Sequence, residues 1–122
     1  MKDIFKDVVG IEGVHGVLVV STEGNIVNSQ FSSKFKHEEA QLAQVGWSPF
    51  ILELSGTMDA ELIYDTARFY VKKCEAGYLI VILGDDAQIS LVRLNCEVLL
   101  PSLDRMKPTG KRISEILRKK IF

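Results

Sequence analysis

The chain has 122 residues, 47% of them hydrophobic and 25% charged, with a net charge of −1. This length fits one domain that buries roughly two thirds of its unfolded surface without staples, and the composition excludes intrinsic disorder. The apolar runs, such as Tyr78 to Leu83, fall far short of the ~20 residues a membrane-spanning helix needs, and Lys2, Asp3, Lys6 and Asp7 break the start too often for a signal peptide, so a cytoplasmic setting is expected.

Residues 2–9 set Ile4, Phe5, Val8 and Val9 on one helical stripe, with Asp3 placed to cap and Gly10 to end the helix. Val17 to Val20 is β-branched and apolar, as a strand buried on both faces would be. Glu23-Gly24-Asn25 is turn chemistry, since Gly24 and Asn25 tolerate positive φ, and Ile26 to Ser29 resumes an extended pattern. The two runs read as a β-hairpin. Gly10, Gly13 and Gly16 precede that strand, whereas a phosphate-binding loop places its glycines after a strand and before a helix. Gly110-Lys111 fails the P-loop pattern as well, because Arg112 stands where Ser or Thr is required.

Residues 38–54 are helical in composition but interrupted by Gly46 and Pro49. Ser48-Pro49 reads as an N-cap and first-turn pair, so the helix either kinks near Gly46 or restarts at Pro49 and runs to about Ser55, with Trp47, Phe50, Ile51 and Leu54 on one face. Three strands are expected next: Glu61 to Asp65, Arg68 to Cys74 and, after a Glu75-Ala76-Gly77 turn, Tyr78 to Leu83. An aspartate of the Gly84-Asp85-Asp86 stretch is expected to cap a last helix carrying Ile89, Val92, Cys96, Leu99 and Leu103 on its apolar stripe, with Pro101 kinking or ending it. The order is α-β-β-α-β-β-β-α. Hairpin-length connections imply an α/β fold with a five-stranded antiparallel sheet and helices on both faces.

The charge is unevenly spread. From Arg105 onward seven bases stand against Glu115 alone, so this segment carries +6 and residues 1–104 carry −7. Ile113, Ile116, Leu117 and Ile121 fall on one helical stripe beside Arg118, Lys119 and Lys120. Three readings stay open for this tail: an arm docking on a partner or a dimer mate, a membrane-surface helix, or a solvated end. A division into a domain over 1–106 and a basic amphipathic tail over 107–122 follows. Nucleic acid is disfavoured as a partner, because the body is acidic and lacks a basic-aromatic pattern.

Cys74 and Cys96 form no CxxC, and His15 and His37 supply no metal-ligand spacing, so no metal or cofactor is expected and the thiols read as small buried hydrophobes. His15 reads as a loop or surface histidine rather than a base. No nucleophile, base and orienting group come together in the pattern, so no catalytic residue is expected.

Three stretches resemble the roadblock / dynein light chain family: Ile11 to Val20 closed by Thr22-Glu23-Gly24, Gly77 to Ala87, and Ile89 to Leu94. The resemblance spans roughly residues 3 to 104. It implies a profilin-like α/β/α sandwich and a homodimer in which the strand near Glu61 to Asp65 pairs with its mate while the second helices pack together. It also implies a non-catalytic platform for a small Ras-like GTPase, some bacterial relatives accelerating GTP hydrolysis without an arginine finger. The expected dimer and partner surface comprises Trp47, Phe50, Ile51, Leu54, Leu62, Ile63 and Tyr64, and the expected tail docking residues are Ile113, Ile116, Leu117, Arg118 and Ile121. Leu62-Ile63-Tyr64 carries no proline or lysine to blunt a sheet edge, which agrees with a paired strand. Arg68 and Arg93 are the body's only arginines and are expected to act as surface residues, not in trans. A competing reading is a small-molecule-sensing α/β/α module, which calls for an apolar pocket with convergent polar groups.

Overall fold

The computed structural model describes residues 4–65 and 67–105. In chain order the elements are α1 (Lys6–Val9), β1 (Val14–Ser21), β2 (Ile26–Phe31), a 3-10 turn (Ser33–Phe35), α2 (Lys36–Leu42), α3 (Ser48–Glu53), β3 (Asp59–Ile63), β4 (Arg68–Cys74), β5 (Gly77–Leu83) and α4 (Ile89–Arg105). The five strands form one antiparallel sheet in the order β2-β1-β5-β4-β3.

Strands β1 and β5 hold the middle of this sheet, and both of their faces are covered. Side chains alternate across a strand. Val17 and Val19 therefore join Leu79, Val81 and Tyr70 beneath Phe5 and Val8 of the first segment and Val92, Cys96, Leu99 and Leu103 of α4. Leu18 and Val20 join Ile80, Ile82, Val71 and Tyr78 on the other face, against Phe31, Trp47, Ile51 and Leu54. The register pairs Val17 with Val81 and Leu18 with Ile80, so like-facing apolar side chains stack across the ladder. This double burial is why the Val17 and Tyr78 runs show no polar alternation.

Several boundaries differ from the sequence expectation, each for a local reason. β1 starts at Val14 and β2 extends to Phe31, because Phe31 lies over Gly16, where a Cβ would overlap the ring. Gly16 thus serves ring packing. In the hairpin turn Gly24 has φ +92°, whereas no residue other than glycine adopts positive φ among the described residues, Asn25 included. β3 begins at Asp59 and ends at Ile63, two residues earlier than expected, because the backbone N–H of Tyr64 donates to the Ala67 carbonyl (2.8 Å) and turns the chain into β4. β4 has the expected bounds.

The helices differ more. α1 has four residues and no side-chain cap, and Asp3 lies outside the described residues. The second helix restarts: α2 ends at Leu42 and α3 occupies Ser48–Glu53. α4 begins after Gln88, whose carbonyl accepts from the Val92 N–H (3.1 Å), so Asp85 and Asp86 lie in the loop before the helix and do not cap it. The helix also runs through Pro101 to Arg105. Pro101 is exposed, which lets water satisfy the carbonyl one turn earlier that lacks its usual donor.

Gly77 opens β5 at φ +149°, and a Cβ there would run into the Val20 carbonyl of the neighbouring strand. We expect Gly77→Ala to cost about 2–4 kcal/mol. The urea midpoint should fall with an unchanged slope, and an unchanged midpoint would contradict the packing described.

Candidate interaction surface

The strand order leaves β3 at one edge of the sheet. The Lys73 N–H donates to the Met58 carbonyl and the Tyr64 N–H to the Ala67 carbonyl. Backbone groups along an antiparallel strand alternate in direction. Met58, Ala60, Leu62 and Tyr64 therefore turn their backbone groups toward β4, and Asp59, Glu61 and Ile63 turn theirs outward. That outward row is a template for another strand.

Around this edge the surface is apolar. Ile63 is 70% exposed, Met58 70% and Tyr64 51%, with Leu52 of α3 at 74%. The Tyr64 ring makes an edge contact with Phe69, and Phe69 another with Phe50, so an aromatic row links the edge to the α3 side. Phe50 and Leu62 are half-buried, packed on the core beneath α3.

Three other residues of the expected surface turn inward. Trp47 (4% exposed), Ile51 and Leu54 are buried against the sheet, so they are core and not contact surface. The orientation of α3 is set by side-chain hydrogen bonds at both ends. Trp47 Nε1 donates to the Leu42 carbonyl (3.1 Å), Ser48 Oγ to the Glu23 carbonyl (2.8 Å) and Tyr78 Oη to the Leu54 carbonyl (2.9 Å). Ser48 is the first helical residue, preceded by Trp47, so its hydroxyl ties the helix to the β1–β2 turn and is not an N-cap. With these ties in place, Leu52 faces solvent. Leu52 and Met58 were missed in the sequence. The available signal was Leu52's place off the 47-50-51-54 stripe, an apolar residue where a solvated face wants polarity. Ile113, Ile116, Leu117, Arg118 and Ile121 lie outside the described residues.

The polar residues near the edge are committed to structure. Arg68 Nη1 donates to the carbonyls of Gly84 (2.9 Å) and Asp85 (3.1 Å), and Nη2 to Glu61 Oε2 (2.9 Å), clamping the β5–α4 loop to the edge strand. Tyr70 Oη donates to Asp59 Oδ2 (3.0 Å), and Arg93 Nε lies 3.5 Å from the same oxygen and over the Tyr70 ring. Burial first, then the Asp59 hydrogen bond, holds the Tyr70 phenol above its ordinary range. The two acids on the edge strand are thus offset by arginines, which removes much of the charge that would repel a second strand. His15 Nδ1 lies 3.0 Å from Glu38 Oε1 and its ring stacks on Phe35, tying β1 to the 3-10 turn and α2. Cys74 and Cys96 are buried, and burial pushes the Cys96 thiol up to about 12 and the Cys74 thiol in the same direction.

No protein-family model and no curated protein matches the sequence. Solved structures do. MglC from Myxococcus xanthus superposes with a TM-score of 0.62 at 16% identity, covering 84% of this chain and 98% of that one. A Roadblock/LC7 domain from Streptomyces avermitilis gives 0.57 at 13% identity, covering 82% and 91%. The chain has the roadblock/LC7 fold. MglB in a tetrameric arrangement gives 0.59 at 13% identity, covering 84% of this chain and 83% of that one. The fold expected from Ile11 to Val20, Gly77 to Ala87 and Ile89 to Leu94 is therefore the fold found, with its second helix divided in two.

The two faces of α3 separate in a stability measurement. Trp47→Ala should cost about 3–5 kcal/mol, whereas Leu52→Ala, exposed on the single chain, should stay within about 0.5 kcal/mol of the parent at high dilution. Equal effects in chemical denaturation would mean that α3 is rotated from the orientation described.

Proposed function

We propose that this chain is a non-catalytic platform that pairs with a second copy through β3 and, as a dimer, binds and regulates a small Ras-like GTPase in the cytoplasm. The observation that carries the reading is the edge at Asp59, Glu61 and Ile63, which no other described strand pairs, bordered by exposed Leu52, Met58 and Tyr64. An open strand edge with an apolar border is an aggregation hazard unless a partner covers it. Pairing in trans continues the ladder, and the border supplies apolar area to the joint. The resemblance of Ile11 to Gly24 and Gly77 to Leu94 to the roadblock / dynein light chain family supports a GTPase as partner.

The polar groups support regulation without a donated catalytic group. Arg68 is spent on loop carbonyls and Glu61, and Arg93 is held beside Asp59 and Tyr70. A dimer of this kind would act by ordering the GTPase's own switch loops.

In sedimentation velocity the wild-type chain should run as a dimer. The Leu52→Asp/Ile63→Asp double variant should run as a monomer that keeps its folded circular-dichroism spectrum, because both side chains are exposed on the single chain, and its thermal midpoint should fall below that of the wild type and lose its concentration dependence. A wild-type monomer at every concentration would contradict the pairing. In affinity capture from an extract of the source organism, the dimer should retain a small GTPase with a non-hydrolysable GTP analogue and not with GDP. Arg93→Ala should preserve any stimulation of hydrolysis, whereas a loss of more than about 1,000-fold would identify an arginine finger. Capture of no GTPase in either state would remove the partner from the reading.

A further inference from the structure

Odd and even positions of β3 differ in what they offer a second strand. Asp59, Glu61 and Ile63 turn their backbone groups outward, and their side chains share the α4 face, where Asp59 meets Tyr70 and Arg93 and Glu61 meets Arg68. Ala60 and Leu62 lie on the α3 face, opposite Val71 and Phe69. A two-fold dimer that continues this antiparallel sheet sets β3 antiparallel to its own copy. Only outward positions bond across the joint, so the register slips by two residues at a time.

Charge and hydrogen bonding separate the registers. With the axis at Ala60, Asp59 lies opposite the second copy's Glu61, and Glu61 opposite its Asp59. With the axis at Leu62, Glu61 meets Ile63, but Asp59 meets Asp65, which lies past the strand end in the turn that Tyr64 and Ala67 close. Either joint forms about four ladder hydrogen bonds, and an axis at Asp59 or Ile63 about two. With the axis at Glu61 all three outward residues bond, for about six. On the α3 face this register sets Ala60 against Leu62 and Met58 against Tyr64, covering two side chains that are 70% and 51% exposed.

The one like-charge contact left is Glu61 against its own copy. Arg68 answers it. Its Nη2 donates to Glu61 Oε2 (2.9 Å), while the Gly84 and Asp85 carbonyls hold Nη1, so the guanidinium is fixed beside the carboxylate. Both side chains are largely shielded from water, where salt screens a pair less. Two glutamates and two arginines then meet at the axis, and the centre of the joint is neutral.

We propose that two copies of β3 pair about a two-fold axis through Glu61, with Arg68 as the positioning residue that makes this register tolerable. The proposal rests on the β3 pairing and adds its geometry.

Cysteine cross-linking of the full chain tests it. Directly opposed residues of an unbonded pair lie ~4.5 Å apart, within disulfide reach, whereas diagonal neighbours lie ~7–8 Å apart and fall outside it. Under mild oxidation a mixture of Ala60→Cys and Leu62→Cys chains should form a disulfide-linked dimer at least about tenfold faster than either variant alone. Met58→Cys mixed with Tyr64→Cys should do the same, and decides the matter if Leu62→Cys sediments as a monomer. The wild type should not link, because Cys74 and Cys96 are buried. Linking of Ala60→Cys alone or Leu62→Cys alone, or no linking in a mixture that sediments as a dimer, would overturn the register and leave the pairing in place. A wild-type monomer at every concentration would remove the pairing itself, and the register with it. Arg68→Met should weaken the dimer at least about tenfold, and Glu61→Gln in that background should restore it. No weakening, or weakening without rescue, would overturn the role given to Arg68.

Discussion

The structure depends on the β1–β5 pair being buried on both faces. Once Val17 to Val20 and Tyr78 to Leu83 lie side by side, apolar side chains project above and below, and neither face tolerates water. Helices α1 and α4 close one face. The 3-10 turn, α2 and α3 close the other. The glycines serve this pairing: Gly16 admits the Phe31 ring, and Gly77 lets the chain enter β5 against the Val20 carbonyl. A central pair covered twice pushes the remaining strands outward, so β2 and β3 become edges.

The two edges are treated differently. On the α2 side, β2 is joined to the helix by a hydrogen bond from Ser29 Oγ to Glu39 Oε2 (2.7 Å). β3 keeps an outward row of backbone groups, and its acids are engaged by Arg68, Arg93 and Tyr70. The short α3, hooked at Trp47, Ser48 and Leu54, fixes which residues border that edge. Burial of Trp47 and exposure of Leu52 follow from one constraint, the orientation those three hydrogen bonds impose.

Much of the fold was legible because it is written in period and punctuation. The all-apolar runs announced buried strands, the Gly24 and Gly77 turns announced hairpins, and the spacing of Val92, Cys96, Leu99 and Leu103 announced α4. The errors came where a tertiary contact decided between local options. Ser48 looks like an N-cap, but its hydroxyl meets the Glu23 carbonyl, 25 residues away in sequence. Trp47, Ile51 and Leu54 look like a surplus apolar face, but they line the sheet. The strand at 61–65 was displaced by the turn that Tyr64 and Ala67 close. For the candidate surface, the edge strand with exposed Ile63 and Tyr64 was legible, whereas Leu52 was readable only as an apolar residue off the α3 stripe and Met58 carried no periodic signal.

The most direct test of the account is amide exchange at β3, residue by residue, by NMR across a range of protein concentrations. Ala60 and Leu62 face β4 and should be protected throughout, which makes them the internal control. The account predicts that Asp59, Glu61 and Ile63 gain protection together as concentration rises and the outer ladder forms. Solvent-rate exchange at those three amides at every concentration would contradict it, and β3 would then be an open edge with no second copy on it.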